Sequence, residues 1–186
     1  MKKLSVSLLV MMIVVATSAI SQLAAQKLVS NQSEISFFSH TTFEDIQANN
    51  YKSVSTINTE TGDVVFSVPM QSFEFEKSLM QKHFNSKKFL NTKEHPKAKL
   101  KGKITNLNDI NFSQDGTYSA NVEGTMTIKG VSQKVKEVGT VIVSNGKVTI
   151  ETEFDLHLPD YEVAFTKGKP SKNIAKTIKV NATAKY

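Results

Sequence analysis

Apolar and polar residues alternate along most of the chain, and this alternation restricts the folds open to it more than any other feature. Between residues 118 and 129 the even positions carry apolar or small side chains, from Tyr118 to Ile128, and the odd positions carry polar ones, from Ser119 to Lys129. Successive side chains of a β-strand point to opposite faces, so a period of two predicts a strand with one buried face. We therefore expect an all-β protein.

Eight segments show this alternation. They are residues 28–38, 51–60, 63–70, 97–107, 118–129, 131–143, 148–157 and 174–186. Thr61-Gly62 and Asn145-Gly146 separate neighbouring segments and predict tight hairpins, because asparagine and glycine tolerate the positive φ angles of such turns. The prediction is one domain of eight antiparallel strands.

One segment has the spacing of a helix instead. The residues of its stripe are Phe75, Leu79, Met80, His83 and Phe84. This spacing brings the side chains to one face of a helix, which is expected to be buried. It predicts a helix over about 74–86, with Ser72 as the N-cap residue.

Eight strands with one apolar face each either close into a barrel or stack as a sandwich. Closure leaves no exposed strand edge, and eight strands enclose a space that side chains fill or that holds one small ligand. Small residues on the inner faces are expected to leave room; they are Ala98, Gly102, Ala120, Gly124, Gly139, Ala182 and Ala184. An apolar space of this kind suits a hydrocarbon chain better than water. The alternative is that Phe37, Phe66 and Phe154 fill the interior.

The first residues have the pattern of a secretory signal peptide. Two lysines precede an apolar run over residues 4–20, and small residues follow it. We expect residues 1–25 to be removed, which leaves residues 26–186 as a domain in the periplasm or outside the cell; the alternative is a retained membrane anchor. The chain has no cysteine, which suits an oxidising compartment because no disulfide exchange can trap the protein.

The residue types exclude several kinds of chemistry. Without cysteine there is no thiol nucleophile and no thiolate zinc site. All 23 basic residues are lysine, so no arginine can bind a phosphate in a bidentate way. The four histidines lack metal-ligand spacing, and no G-x-S-x-G segment occurs. We therefore expect no metal, no other cofactor and no enzymatic activity.

Lysines are concentrated in two segments. Residues 77–103 contain nine lysines and one acid, Glu94, and residues 163–186 contain six lysines and no acid. These lysines are interpreted either as the solvated outside of the barrel or as a surface attracted to anionic lipid headgroups. Binding of nucleic acid is not expected, since arginine and a mixed aromatic and basic motif are both absent.

Two longer segments carry recognisable motifs. The first is HFNSKKFLN at residues 83–91, with HP at 95–96 and the strand KAKL at 97–100; the second is VEGTMTIKGVS at residues 122–132. Both resemble the YceI-like family of exported, lipocalin-like barrels. The resemblance implies a carrier of polyisoprenoid or another lipid, with the ligand inside the barrel and partly covered by the helix. The chain differs from the family in having Gln81 where an acid is usual.

The candidate ligand contacts belong to the barrel interior and the helix. They are Phe37, Phe66, Val68, Leu79, His83, Phe84, Phe89, Leu100, Val122, Met126, Ile128, Phe154 and Ile178. His83 is interpreted either as a core histidine or as a polar contact for a ligand head group, a role also open to Lys167 and Lys169. Two alternatives to the carrier are a structural or stress-response barrel without a ligand and an enzyme that acts on an apolar substrate in the same cavity.

Overall fold

The computed structural model describes residues 27–164 and 170–186. The predicted signal peptide, residues 1–25, lies outside the described residues, as do Lys167 and Lys169. Within the described ranges, no helix combines the length and the apolar character that a membrane crossing requires.

Nine strands and two helices make up the described part of the chain. The strands are β1 (Lys27–His40), β2 (Asp45–Asn58), β3 (Asp63–Pro69), β4 (Glu74–Phe75), β5 (Lys97–Ile104), β6 (Gly116–Ile128), β7 (Val131–Ser144), β8 (Lys147–His157) and β9 (Thr177–Lys185). The helices are α1 (Ser78–Asn85) and α2 (Pro170–Asn173), and short 3₁₀ turns span Met70–Ser72, Leu107–Asp109 and Leu158–Tyr161.

Eight of the strands form a closed antiparallel barrel, which confirms the predicted fold class. Their order around the ring is β1-β9-β8-β7-β6-β5-β3-β2, and β2 pairs again with β1. The two-residue strand β4 lies outside this ring, where Phe75 is opposite Ala48 of β2. Every ring strand thus has a neighbour on both sides, although β7 and β8 pair only from Thr140 opposite Glu151 to Ser144 opposite Lys147.

Two predicted boundaries differ from those observed by four residues or more. The second strand starts at Asp45, six residues before the predicted start, because the inward-facing Asn50 interrupts the apolar pattern. Asn50 is fully buried, and its side-chain amide donates to the carbonyl of Pro69 at 2.8 Å. The helix begins at Ser78 instead of about 74, and its N-cap residue is Lys77 with no side-chain cap bond, so Ser72 as N-cap is wrong.

The interior of the barrel has two apolar clusters at opposite ends. The cluster near the β2–β3 and β7–β8 turns is solid and includes Ile57, Ile104 and Val141, each at most 2% exposed. The other cluster lies beneath α1 and around the β6–β7 and β8–β9 connections. The first end of the barrel is therefore filled by side chains.

A chain of buried hydroxyls lines the barrel wall beside the filled end. Shifts in the β1–β2 register on either side of Ser33 turn both Ser30 and Ser33 inward. Ser33 donates to Ser30 at 3.3 Å and bonds Ser55 at 2.9 Å, and Ser55 bonds the Tyr186 hydroxyl at 2.7 Å. Each hydroxyl thus has a partner, which offsets the cost of burying it.

Burial raises the pKa of Tyr186 from 10.0 to about 12, although its hydrogen bond with Ser55 acts in the opposite direction. The unfolded chain loses this phenol proton near pH 10, whereas the folded chain keeps it to about pH 12. Stability is therefore complete below pH 10 and falls as the pH rises towards 12. We expect this tyrosine to account for a loss of as much as about 2 kcal/mol over that interval, since one pKa unit corresponds to about 1.4 kcal/mol. Urea unfolding of the wild type and of Tyr186→Phe between pH 10 and pH 12 measures this loss. The free energy of unfolding should fall less in the variant than in the wild type. An equal fall with pH in both proteins would contradict the assignment to Tyr186.

The small inner residues do not all leave space, contrary to expectation. Only Ala98 and Ala182 of the seven line the cavity described below. Gly124 and Gly102 lie opposite each other on β6 and β5. A Cβ atom at Gly124 would lie 2.5 Å from the Lys101 carbonyl oxygen and 2.6 Å from the Gly102 Cα. Glycine at this position allows the two strands to approach closely, so it shapes the wall and does not enlarge the interior.

Gly124→Ala is expected to destabilise the fold by about 1–3 kcal/mol, because its Cβ meets backbone that cannot move aside without shifting a strand. Gly139→Ala is the matched control, since its Cβ would contact the Glu151 carbonyl oxygen at 3.2 Å. Alanine lowers the conformational entropy of the unfolded chain, which stabilises the fold and offsets the tight contact at this position. The free energy of unfolding of Gly139→Ala is therefore expected to change by close to zero. Urea midpoints of both variants test the difference; equal midpoints would count against the close approach of β5 and β6.

Candidate functional site: an apolar cavity under the helix

The barrel end beneath α1 contains a cavity of about 440 Å³. This volume lies in the range of about 300–1,000 Å³ that is usual for small-molecule sites. Its walls are mainly aliphatic and aromatic side chains from β1, β3, β5, β6, β8, β9 and α1. The solid cluster at the other end closes the cavity below, so its opening faces the connections that carry α1 and α2.

Twelve of the thirteen predicted contacts line this cavity. They are Phe37, Phe66, Val68, Leu79, His83, Phe84, Phe89, Leu100, Met126, Ile128, Phe154 and Ile178. Eight of them are strand residues, and the alternation along the strands predicted that these eight share the interior; the other four belong to α1 and the connection after it.

Val122 does not reach the cavity. It lies on the inner face of β6 opposite Ile104 and packs against the solid cluster at the filled end. Met126 and Ile128, on the same face of the same strand, line the cavity. Alternation identifies the face of a strand but not the depth of a residue along the barrel. For this reason Val122 was among the predicted ligand contacts.

Several lining residues were missed because they lie outside regular alternation. Phe73 follows a 3₁₀ turn, Leu90 lies in the connection after α1, and Tyr161 and Val163 belong to the turn after β8; all four are buried. Burial raises the pKa of Tyr161, and the charges of Asp160 and Glu137 raise it further, so its hydroxyl is neutral at neutral pH. No periodic signal in the sequence distinguishes such residues from ordinary loop positions.

A cluster of five phenylalanines holds α1 across the cavity end. Phe84 of α1 is 7% exposed and stacks on Phe37 of β1 with ring centroids 5.9 Å apart. Its ring centroid is 5.3 Å from that of Phe73, 5.0 Å from that of Phe75 and 6.4 Å from that of Phe89. Aromatic pairs contribute about 0.5–1.5 kcal/mol each beyond burial. The helix is therefore attached by one central side chain.

The two sides of α1 differ in burial, and this corrects two expectations. Leu79, predicted to lie on the buried stripe, is 60% exposed at the rim of the cavity. His83 is exposed at the rim as well, so its interpretation as a core histidine is wrong. Met80 and Phe84, four residues apart, turn inward instead.

Polar groups connect three segments at the cavity opening. Glu44, in the turn between β1 and β2, accepts a hydrogen bond from the Asn173 side-chain amide at 2.7 Å and pairs with the Lys77 ammonium at 3.4 Å. The backbone N–H of Ala175 donates to the Ser39 hydroxyl at 2.9 Å. We call Glu44, Lys77 and Asn173 the rim clasp. A half-exposed ion pair contributes little energy, so the clasp sets geometry more than stability.

The arrangement suits binding of an apolar molecule. Among the residues that the structure describes, no group of three His, Asp or Glu side chains could hold a metal ion. Glu44, Lys77 and Asn173 stand at the opening, and the walls are otherwise mainly apolar, with Ser39, His83, Lys99 and Thr152 as further polar lining residues. A hydrocarbon chain fits the walls, and a polar end of the same molecule would be left at the opening.

Comparison with known proteins identifies the family of this chain. The family model described as the YceI-like domain matches residues 26–186. The chain belongs to the YceI-like family. This confirms the resemblance seen in the two sequence motifs. None of the curated proteins compared with the chain matches it.

Solved structures share the fold at low sequence identity. BcnA of Burkholderia cenocepacia is 16% identical with a TM-score of 0.69, covering 83% of this chain and 96% of its own. A polyisoprenoid-binding domain of Saccharophagus degradans, implicated in plant cell wall breakdown, is 12% identical with a TM-score of 0.72, covering 86% of this chain and 97% of its own. The YceI protein of Campylobacter jejuni is 15% identical with a TM-score of 0.60, covering 79% and 87%.

The unequal burial of the helix side chains predicts unequal effects on stability. Phe84→Ala should lower the free energy of unfolding by about 3–5 kcal/mol, because the side chain is buried among four other rings. Leu79→Ala should change it by no more than about 0.5 kcal/mol, since the side chain is exposed. Urea unfolding of both variants tests this, and a loss in Leu79→Ala as large as that in Phe84→Ala would contradict the observed orientation of α1.

Proposed function

We propose that this protein is an exported carrier that holds a long apolar lipid, a polyisoprenoid or an acyl chain, in the barrel cavity. The observation that carries the proposal is the apolar cavity, closed below by the solid cluster and roofed by α1. The Saccharophagus degradans domain of the same fold is a polyisoprenoid-binding domain, which supports this ligand class. A filled structural barrel is less consistent with an unfilled volume of about 440 Å³.

The mechanism is removal of hydrocarbon from water. Each buried methylene contributes about 0.8 kcal/mol, so a stretch of roughly twelve carbons supplies close to ~10 kcal/mol before the entropy of binding is subtracted. Since the barrel is blocked at the filled end, the chain enters with its apolar tail first and its head group remains beside the rim clasp. Cavity depth then selects chain length, and the opening selects the head group.

Export and a binding role without catalysis are parts of the same proposal. The two lysines, apolar run and small residues before residue 26 support secretion into the periplasm or the medium. Membership of a family with a binding-domain neighbour supports a protein that holds its ligand without altering it. The lysine-rich outside of the barrel favours contact with anionic lipid surfaces.

N-terminal sequencing of the protein from cells should find a start near Gln26 or Gln22, and a retained Met1 in the membrane fraction would contradict export.

Filling the cavity is the direct test of the binding site. Ala182 of β9 lines the cavity, whereas Asn181 beside it is exposed on the outer face. Ala182→Phe should lower the affinity for a fluorescent apolar probe at least tenfold, because the new ring occupies the space of the chain, and it should cost about 1–3 kcal/mol of stability. Asn181→Phe adds the same side chain outside and should leave probe affinity unchanged.

Probe titration of both variants, with native mass spectrometry of wild-type protein purified from its own host, provides the readout. A bound isoprenoid or acyl species in the wild type and its absence in Ala182→Phe support the carrier. Equal probe affinity in wild type and a folded Ala182→Phe protein would show that the cavity is not the binding site.

A further inference from the structure

Two of the most exposed apolar side chains in the described part of the chain stand at the cavity opening. Phe43, in the turn between β1 and β2, is 70% exposed, and Leu79 of α1 is 60% exposed. Single exposed apolar residues are ordinary on protein surfaces. These two differ because both belong to connections at the same end of the barrel, the end through which the cavity opens.

The rim clasp brings the two connections together. Glu44 directly follows Phe43, and Lys77 lies two residues before Leu79. The Glu44–Lys77 ion pair at 3.4 Å joins the segments that carry Phe43 and Leu79. Glu44 also accepts from Asn173, so the position of the turn is set from two sides. We call Phe43 and Leu79 the rim pair.

The charge around the rim pair is positive. Residues 78–93 contain four lysines and no acid, and Lys82 is exposed on α1 one turn after Leu79. Of the two acids at the β1–β2 turn, Glu44 forms an ion pair with Lys77, and Asp45 is within hydrogen-bond distance of the His40 ring at 2.6 Å. Exposed acids at residues 74 and 76 precede the helix and are outnumbered by the lysines.

Exposed apolar side chains among lysines are the composition of surfaces that rest in a membrane interface. The apolar groups enter the boundary between headgroups and acyl chains, and nearby lysines are attracted to the negative charge of an anionic surface. A carrier also has a physical reason to face the bilayer with its opening. A lipid that passes directly between cavity and bilayer does not expose its methylenes to water, which is unfavourable for each of them.

We infer that the opening of the barrel docks on an anionic phospholipid bilayer through the rim pair and Lys82, so that lipid passes between the cavity and the bilayer without crossing water. This inference rests on the proposed carrier function and adds to it which surface of the protein contacts the membrane. The clasp holds Phe43 and Leu79 at the height of the rim, and the lysines orient the protein with that end towards the membrane.

The test compares matched variants on vesicles. Phe43→Ser removes an exposed rim residue outside the cavity lining, and its control is Val138→Ser, which removes a side chain that is 61% exposed on β7. Lys82→Glu reverses a charge beside the rim, and its control is Lys147→Glu, at an exposed position beside the β7–β8 turn of the filled end. Flotation with phosphatidylcholine vesicles, with and without phosphatidylglycerol, measures binding, and transfer of an apolar probe between vesicles measures delivery.

We expect Phe43→Ser and Lys82→Glu to lower the partition coefficient on phosphatidylglycerol vesicles about tenfold and to slow transfer, while Val138→Ser and Lys147→Glu behave as wild type. Probe affinity without vesicles should be equal in wild type, Phe43→Ser and Lys82→Glu. Thermal melts confirm that each variant is folded, which is expected because every changed side chain is exposed.

Three outcomes would overturn docking. They are no vesicle binding by the wild type, equal binding by Phe43→Ser and Val138→Ser, and loss in Phe43→Ser of a dimer seen by analytical ultracentrifugation, which would assign the rim pair to a second copy. If the wild type binds the probe in solution but ignores vesicles, docking fails and the carrier proposal stands. If the wild type does not bind the probe, the carrier proposal itself fails.

Discussion

Closure of the barrel through β1 is the constraint on which the rest of the structure depends. β1 pairs with β2 along one side, and from Gln32 to Phe38 it pairs with β9 along the other. Once the ring is closed, every ring strand has a neighbour on both sides and the inner faces of eight strands share one interior. The register shift at Ser33 lies in this closing strand. It turns extra serines inward, and the hydroxyl chain that ends at Tyr186 satisfies them.

The closed interior has two different ends because its side chains differ in size and in depth. Near the β2–β3 and β7–β8 turns, branched aliphatic residues fill the barrel, and facing glycines bring β5 and β6 together. Towards the other end, the long β3–β5 connection supplies α1 as a roof, so side chains of the strands need not meet across the barrel. A cavity closed at one end and covered at the other imposes a direction on any chain-like ligand, tail inward and head at the opening.

Two kinds of contact, one strong and one weak, hold the segments around the cavity opening in place. The aromatic cluster around Phe84 contributes most of the attachment of α1, since several ring contacts meet at one buried side chain. The rim clasp around Glu44 contributes position more than energy. Breaking the rim clasp costs little energy and leaves the aromatic cluster around Phe84 intact. The opening can therefore change while α1 stays folded on the barrel, which suits passage of a ligand.

The sequence by itself determined the local properties: the all-β class, eight long strands, the hairpin at Asn145-Gly146, a helix after the third strand, and the inner strand faces that supply eight of the twelve predicted cavity contacts. These depend on periodicity and turn chemistry, which act over a few residues. Only the tertiary structure decided what depends on register and closure. It placed Val122 in the solid end and Met126 in the cavity wall, turned Leu79 outward because Phe84 is the anchored side chain, and made Gly124 a point of strand contact. It also joined Glu44 to Lys77 and Asn173, which lie 33 and 129 residues away along the chain. No local pattern encodes such pairs, since their meeting is set by how the ring closes and by which connections share its open end.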